Sequence, residues 1–356
     1  MRKAISKIAA GTACIAALTT ALSSCTPDSC TACMEEGMPS TLELNIVSGG
    51  VKSTSVETQE QDNLINTLDV FIFRMGDSQT PGYGTLDTYA RLTGETLLNP
   101  VISTTTGPKL ICVLANSGIQ SYDGIADISA FRTLTTALKD EALRDFCMYG
   151  EIEEELGVTA EVSLTVSRFV ARIGIESIKT DFAGSPFEGM SLTNCRIYLV
   201  NAHGDKLIYN GGPTAVPVIM NQGGAVEEDV NSTSAQALLL DEISGEINDA
   251  GYTAQHFFYC YSNETEDIES CTKLVFQADL DGVTYYYPIP VNQSGYRLPS
   301  EESTHSGIRR NTAYSYGITI TKPGSIDPET PIEPGTLDLT VKIAGWDVVP
   351  AYDKVF

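Results

Sequence analysis

Short apolar segments separated by turn-forming residues run along most of this chain. The clearest of them have either the period-two alternation of a half-buried strand or the continuous apolar run of a buried one. They are 41–47, 67–74, 109–115, 158–166, 168–175, 195–201, 256–261, 273–280, 283–289, 311–321 and 337–343. A short strand cannot bury its apolar face by itself, so many of them must pack as sheets. We therefore predict a mostly β fold of sandwich type.

One segment has a helical pattern instead. Phe131, Leu134, Leu138 and Leu143 recur at helical spacing between residues 128 and 146. This pattern predicts one or two helices over one end of a sandwich.

The first 25 residues resemble a bacterial lipoprotein export signal. Arg2, Lys3 and Lys7 precede an apolar run over 8–22, and the run ends in the sequence LSSC at Cys25. The run is too short for a membrane-spanning helix, and small residues before the cysteine are typical of a cleavage site. We predict that residues 1–24 are removed and that Cys25 is lipidated. Several acyl chains on one residue would anchor the protein stably to a membrane, on the outside of the cytoplasm.

The composition is strongly acidic. The chain has 22 Lys and Arg against 46 Asp and Glu, and three of the basic residues lie in the signal. The mature part therefore has 19 basic and 46 acidic residues, a net charge of about −27. This excess argues against nucleic acid and against an anionic lipid surface as binding partners.

Recognisable catalytic motifs are missing from the sequence. It contains no HExxH, no GxSxG and no phosphate-binding glycine loop, and His203, His256 and His305 are far apart. We predict no catalytic residue, no metal site and no cofactor. A hydrolase is the least supported function.

The cysteines allow two interpretations. Cys30 and Cys33 have CxxC spacing in the polar tether 25–40, but no second ligand pair or strand–helix context accompanies them. Cys260 and Cys271 lie in or near apolar segments, as expected of small buried side chains. A disulfide between Cys260 and Cys271 is the alternative outside the cytoplasm.

Three consecutive tyrosines, Tyr285, Tyr286 and Tyr287, form an aromatic cluster on a predicted strand. Alternation places Tyr285 and Tyr287 on one face and Tyr286 on the other. They are either core and half-exposed surface of a β protein or a surface on which sugars stack. The second interpretation would make the protein a surface glycan-binding lipoprotein.

Several motifs in a fixed order resemble the fimbrillin-type (type V) pilus subunits of Bacteroidetes. After the lipoprotein signal they are TLELNIV, TLDVFIF, KLICVLAN, RFVARIGI, RRNTAYSYGITI and VKIAGWDVVPAYDKVF. Each motif is weak alone, but together they extend over nearly the whole mature chain.

The resemblance implies a fold, a location and a set of partners. The fold would be two transthyretin-like Greek-key β-sandwich domains, 41–167 and 168–356. The protein would reach the cell surface as a lipoprotein attached to the outer membrane. A processing protease would remove its first strand, and a strand from another pilus subunit, the same or an accessory one, would fill the groove. Residues 42, 44 and 46 of that first strand alternate as such a cover requires.

The processing site differs from the family pattern, in which the cut generally follows arginine. Between Thr41 and Phe73 the only basic residue is Lys52, so the candidate cut lies between Lys52 and Ser53. Two alternatives stay open. Either the protease accepts lysine and the protein is a shaft subunit, or the chain is never cut and serves as the lipid-retained anchor of the pilus.

The end of the sequence supplies the candidate donor strand. Its apolar anchors are Trp346, Val348, Val349, Tyr352, Val355 and Phe356. The alternative is an ordinary last strand that pairs within its own domain.

Overall fold

The computed structural model describes residues 36–48, 62, 64–98, 100–226, 236–296, 305–332 and 337–345. The first group of strands comprises β1 (Pro39–Ser48), β2 (Thr67–Arg74), β3 (Leu86–Thr93), β4 (Val101–Thr105), β5 (Gly107–Ala115), β7 (Met148–Leu156) and β8 (Thr159–Arg168). These strands form one seven-stranded sheet in the order β3-β2-β5-β7-β8-β1-β4.

The seven-stranded sheet folds back on itself around a core. The fold lies between β7 and β8, which are joined by only a short ladder, so that β3-β2-β5-β7 and β8-β1-β4 can face each other. Strands β7 and β8 pair only at Met148↔Arg168 and Tyr149↔Ser167. Inward side chains of β1, β4 and β8 therefore pack against those of β2, β5 and β7. The buried cluster that results includes Leu42, Val70, Ile102, Ile111 and Leu164.

The second group of strands comprises β9 (Val170–Thr180), β10 (Thr193–Val200), β14 (Leu240–Glu242), β15 (His256–Tyr261), β16 (Lys273–Leu280), β17 (Val283–Pro290), β18 (Thr312–Ile320) and β19 (Leu337–Gly345). They form two four-stranded sheets, β14-β10-β16-β17 and β15-β9-β18-β19. Two small sheets pair β11 (Ala202–His203) with β13 (Ile219–Met220) and β12 (Asp205–Leu207) with β6 (Thr135–Ala137).

Helical structure in the described part of the chain is limited to short pieces. They include α1 (Ile128–Phe131), α2 (Gln236–Leu239) and the 3-10 turns Gly94–Leu97, Leu138–Asp140, Tyr209–Gly211 and Gln222–Gly224, and Asp62 and Val226 are helical as well.

The two groups of strands meet at the end of β8. Arg310 donates from Nη2 to the Ser167 carbonyl at 2.7 Å and from Nε to the Arg168 carbonyl at 3.0 Å. The β6–β12 pair also joins the groups, because β6 belongs to the first half of the chain and β12 to the second. The junction is therefore built from main-chain and side-chain hydrogen bonds as well as apolar packing.

The all-β fold with little helix is confirmed, and strand predictions 67–74, 256–261 and 273–280 coincide with β2, β15 and β16. The Greek-key connectivity and the domain division between residues 167 and 168 stay predictions. None of the helices in the described part of the chain is long and apolar enough to cross a membrane.

The prediction of one or two helices over 128–146 is largely wrong. Besides the 3-10 turn Leu138–Asp140, only the four-residue α1 forms, with Asp127 accepting the N–H of Ala130 at 2.9 Å as its N-cap. The chain then becomes β6, which pairs with β12. Long-range strand pairing and a run of β-branched threonines override the helical spacing of the apolar residues here.

Cys260 and Cys271 are both free and buried, so the alternative of a disulfide between them is wrong in this structure. Cys30 and Cys33 lie outside the described residues.

Candidate functional site

Strand β1 lies inside the first sheet rather than at its edge. On one side it runs parallel to β8, with Thr41 opposite Thr159 and Ser48 opposite Val166. On its other side it runs antiparallel to β4, from Pro39↔Thr105 onward. Removing β1 would therefore leave a slot with a strand on each side.

The inward face of β1 alternates as the sequence predicts. Leu42 and Leu44 are buried, at 0% and 3% exposure, and Ile46 is partly buried against the same core. Thr41 and Glu43, on the outward face, are exposed. Full burial of a leucine contributes about 1.5–3 kcal/mol, so Leu42 and Leu44 together account for about 3–6 kcal/mol. An empty slot would expose that apolar surface, and another strand with matching side chains could cover it.

The outward surface of β1 is a shallow cleft of about 350 Å³ shared with β4 and β8. Thr41, Glu43, Val101 and Glu161 are among its lining residues. Its mixed polar lining is that of an ordinary solvent-facing sheet, so the specific features of β1 lie on the inward face.

Both ends of the connection between β1 and β2 come back to the end of β8. Ser48 pairs with Val166, and the carbonyl of Asp62 accepts a hydrogen bond from Arg168 Nε at 3.0 Å. The residues between these two points, 49–61, contain the predicted cleavage site.

Asp62 is buried where the two groups of strands meet. Its Oδ2 accepts from the Tyr259 hydroxyl at 3.1 Å and lies 3.8 Å from Arg172 Nη1. Burial raises the pKa of the Asp62 carboxyl, against the opposing effects of Tyr259 and Arg172. Burial also lowers the pKa of Arg168 to about 10. Sequence reasoning did not identify this cluster, although two arginines within an apolar strand segment were a signal.

A second anchor follows Asp62. The Asn116 side chain accepts from the N–H of Asn66 at 2.8 Å and donates to the carbonyl of Leu64 at 2.7 Å. The chain is therefore held at two successive points before β2 begins.

The last described strand, β19, pairs with β18 along its whole length, from Leu337↔Ile320 to Gly345↔Thr312. Val341 is fully buried, and Lys342 Nζ lies 2.9 Å from Glu176 Oε2. This strand is thus part of its own subunit. Strand β19 ends at Gly345, opposite Thr312, which is the first residue of β18 and follows Arg310 closely in the chain.

The predicted site residues fall outside the described part of the chain. They are the lipidation site Cys25, the processing site Lys52 and Ser53, and the donor-strand anchors Trp346, Val348, Val349, Tyr352, Val355 and Phe356. Their roles stay predictions.

The tyrosine cluster belongs mostly to the core. Tyr287 is fully buried and donates to the Lys322 carbonyl at 3.3 Å, while Tyr285 and Tyr286 are partly buried against the same core. The arrangement favours the interpretation as core over a sugar-stacking surface.

The profile of the family described as major fimbrial subunit protein (FimA) matches residues 40–235. Among solved structures, a candidate cell adhesion protein from Bacteroides eggerthii has a TM-score of 0.63 at 19% identity, covering 87% of this chain and 97% of its own. A second, from Parabacteroides distasonis, has a TM-score of 0.62 at 18% identity, covering 89% and 99%. A fimbrilin from Porphyromonas gingivalis W83 has a TM-score of 0.61 at 16% identity, covering 88% and 99%. At these identities the likeness shows a shared fold.

Proposed function

Because the chain belongs to the major fimbrial subunit protein (FimA) family, a family of structural subunits rather than enzymes, we propose that it polymerises by exchange of β1 for a strand of another subunit. The precursor is exported as a lipoprotein with Cys25 acylated and is attached to the outer membrane. A protease then cuts after Lys52, and the lipid leaves with β1. The cut subunit joins the shaft of a cell-surface fimbria.

The position of β1 is the observation that carries this proposal. It is paired on both sides, covers the core with Leu42 and Leu44, and is followed at once by the connection that contains Lys52. Strand addition at such a slot would restore the main-chain hydrogen bonds on both sides and refill the apolar positions.

The segment after β19 supports the choice of donor. Residues 346–356 would extend about 36 Å at about 3.3 Å per residue, which is comparable with the ten-residue β1. The pairing of β18 with β19 ends at Gly345, so it does not require this segment.

Mild trypsin treatment of the purified precursor tests processing and assembly together. We expect a new N-terminus at Ser53 by mass spectrometry and filaments by electron microscopy. A chain that ends at Gly345 should be cut and stay folded but form no filaments. Filaments from that truncated chain would contradict the donor assignment.

The absence of an arginine near the cut keeps the anchor subunit as the second candidate. Surface-assembled protein that still begins at the acylated Cys25 would contradict the shaft role and favour the lipid-retained anchor.

A further inference from the structure

Two strands border the slot, β8 and β4, and β4 depends more than β8 on β1 for its main-chain hydrogen bonds. It is the last strand in the sheet order, and β1 is its only strand partner in the described part of the chain. The Thr106 N–H donates to the Met38 carbonyl at 2.8 Å, and the Pro100 carbonyl accepts from the Leu44 N–H at 2.9 Å. The even-numbered residues between 100 and 106 therefore direct their backbone N–H and C=O groups toward β1. Those groups lose their hydrogen-bond partners when β1 leaves.

On the edge of β4 that faces away from β1, side chains of β3 make the hydrogen bonds that the main chain of a neighbouring strand would otherwise make. The Thr105 N–H donates to Asp87 Oδ2 at 3.1 Å, and the Ser103 carbonyl accepts from Thr88 Oγ1 at 3.1 Å. These contacts do not involve β1. They are connections that remain when the slot is empty.

A β-bulge gives Asp87 its position. Ile72 is opposite Thr88 and Phe73 is opposite Leu86, so Asp87 is the extra residue of β3. Such an extra residue is not paired in the β2–β3 ladder, and here its side chain is directed to β4.

The Asp87 carboxylate is buried, with 1% of its side chain exposed, and both of its oxygens accept hydrogen bonds. The hydroxyls of Thr104 and Thr105 each donate to Oδ2 at 2.7 Å. Two cations complete the cluster: Arg74 Nη2 lies 2.7 Å from Oδ1, and Lys109 Nζ lies 3.2 Å from Oδ2. Charge-assisted hydrogen bonds of this kind are stronger than neutral ones.

We propose that Asp87 is a positioning residue for strand exchange: it holds β4 against β3 while the slot between β4 and β8 is empty. The inference rests on the proposed function. Without the carboxylate, a five-residue strand would have no main-chain partner on one edge and only the side-chain contacts of Thr88 and Lys109 on the other. The packing of Ile102 on its inward face would then be its main remaining hold, so β4 would open away from β3 more readily and the slot would lose a firm wall.

Hydrogen exchange in the uncut chain tests the anchor directly. When β1 opens transiently, the Thr105 amide should stay protected while the Ile102 and Thr104 amides exchange. In Asp87→Asn we expect Thr105 to exchange about tenfold faster and to match its neighbours. Thr105 exchange that is unchanged by this substitution would overturn the proposal.

Uptake of a labelled synthetic peptide of residues 39–48 tests the consequence for the slot. The chain would carry a sequence-specific protease site within residues 53–58, so the result does not depend on Lys52. After cutting, the wild-type chain should exchange its β1 for the peptide, and Asp87→Asn should take up about tenfold less. Equal uptake by the variant would also overturn the proposal.

Asp69→Asn is the matched control. Asp69 is a buried aspartate with an ion pair of 2.6 Å to Arg91, and it joins β2 to β3. The substitution should lower stability yet leave Thr105 exchange unchanged. A wild-type chain that takes up no peptide would contradict the proposed strand exchange, whereas the exchange of Thr105 would still decide the role of Asp87.

Discussion

The Tyr259 hydroxyl donates a hydrogen bond of 3.1 Å to Asp62 Oδ2, joining β15 to the chain just before β2. The main-chain carbonyl of Asp62 also accepts a hydrogen bond from Arg168 Nε. The connection from β1 to β2 is therefore fixed at Asp62, where the two groups of strands meet. This contact separates the part of the chain that could leave with β1 from the part that must stay.

A broad-specificity protease should therefore stop before Asp62 in the native protein. In Asp62→Ala the side-chain contacts with Tyr259 and Arg172 are lost and only the Arg168 hydrogen bond to the main-chain carbonyl is kept. Trimming should therefore continue more readily to Leu64–Asn66, where Asn116 holds the chain. The N-terminus of the trimmed product, measured by mass spectrometry, checks this. Tyr261→Phe removes a buried hydroxyl from the same strand as Tyr259 and is the control: its trimming should stop where the wild type does.

Leu42→Ala should destabilise the precursor by about 2–5 kcal/mol, because Leu42 is fully buried in the core under β1. Urea denaturation of the uncut chain measures this, with the exposed Thr41→Ala expected within about 0.5 kcal/mol of wild type. Filaments formed after cutting should be unaffected, since they no longer contain residue 42. Filaments that are weakened by Leu42→Ala would show that β1 is retained.

Glu141 should make stability fall as the pH rises. Burial raises the pKa of its carboxyl to about 8, although the Cys147 N–H and the Tyr261 hydroxyl each donate to it at 2.8 Å. Between the unfolded value of 4.5 and about 8, the folded state binds more protons than the unfolded one, so stability decreases across this range. Thermal unfolding from pH 5 to 8 should show a smaller decrease in Glu141→Gln. An equal slope in both proteins would contradict this assignment.

The buried thiols should be inert in the native protein. Burial raises the pKa of Cys260 to about 12 and that of Cys271 to about 11, so neither forms the reactive thiolate near neutral pH. Iodoacetamide should label both only after unfolding, as detected by peptide mass mapping. Failure to label them in unfolded, unreduced protein would instead indicate a disulfide.

Local pattern was sufficient for the strands with strong apolar runs. Segments such as TLDVFIF and KLVFQADL predict strands because they are short and rich in apolar side chains, which become buried when the segment forms part of a sheet. Strands β3, β4 and β7 were missed, since their exposed or charged residues, such as Glu153–Glu155, hide the alternation.

The sequence by itself determined the β-rich class and the inward face of β1, because each depends on residues close together in the chain; for the same reason it predicts the export signal. Only the tertiary structure decided that β1 lies parallel to β8, that Asp87 closes the outer edge of β4 and that Asp62 lies at the junction. Asp62 and Tyr259 are 197 residues apart, and no local pattern encodes which distant partner will compensate a buried charge. That choice follows from which strands the packed core brings together.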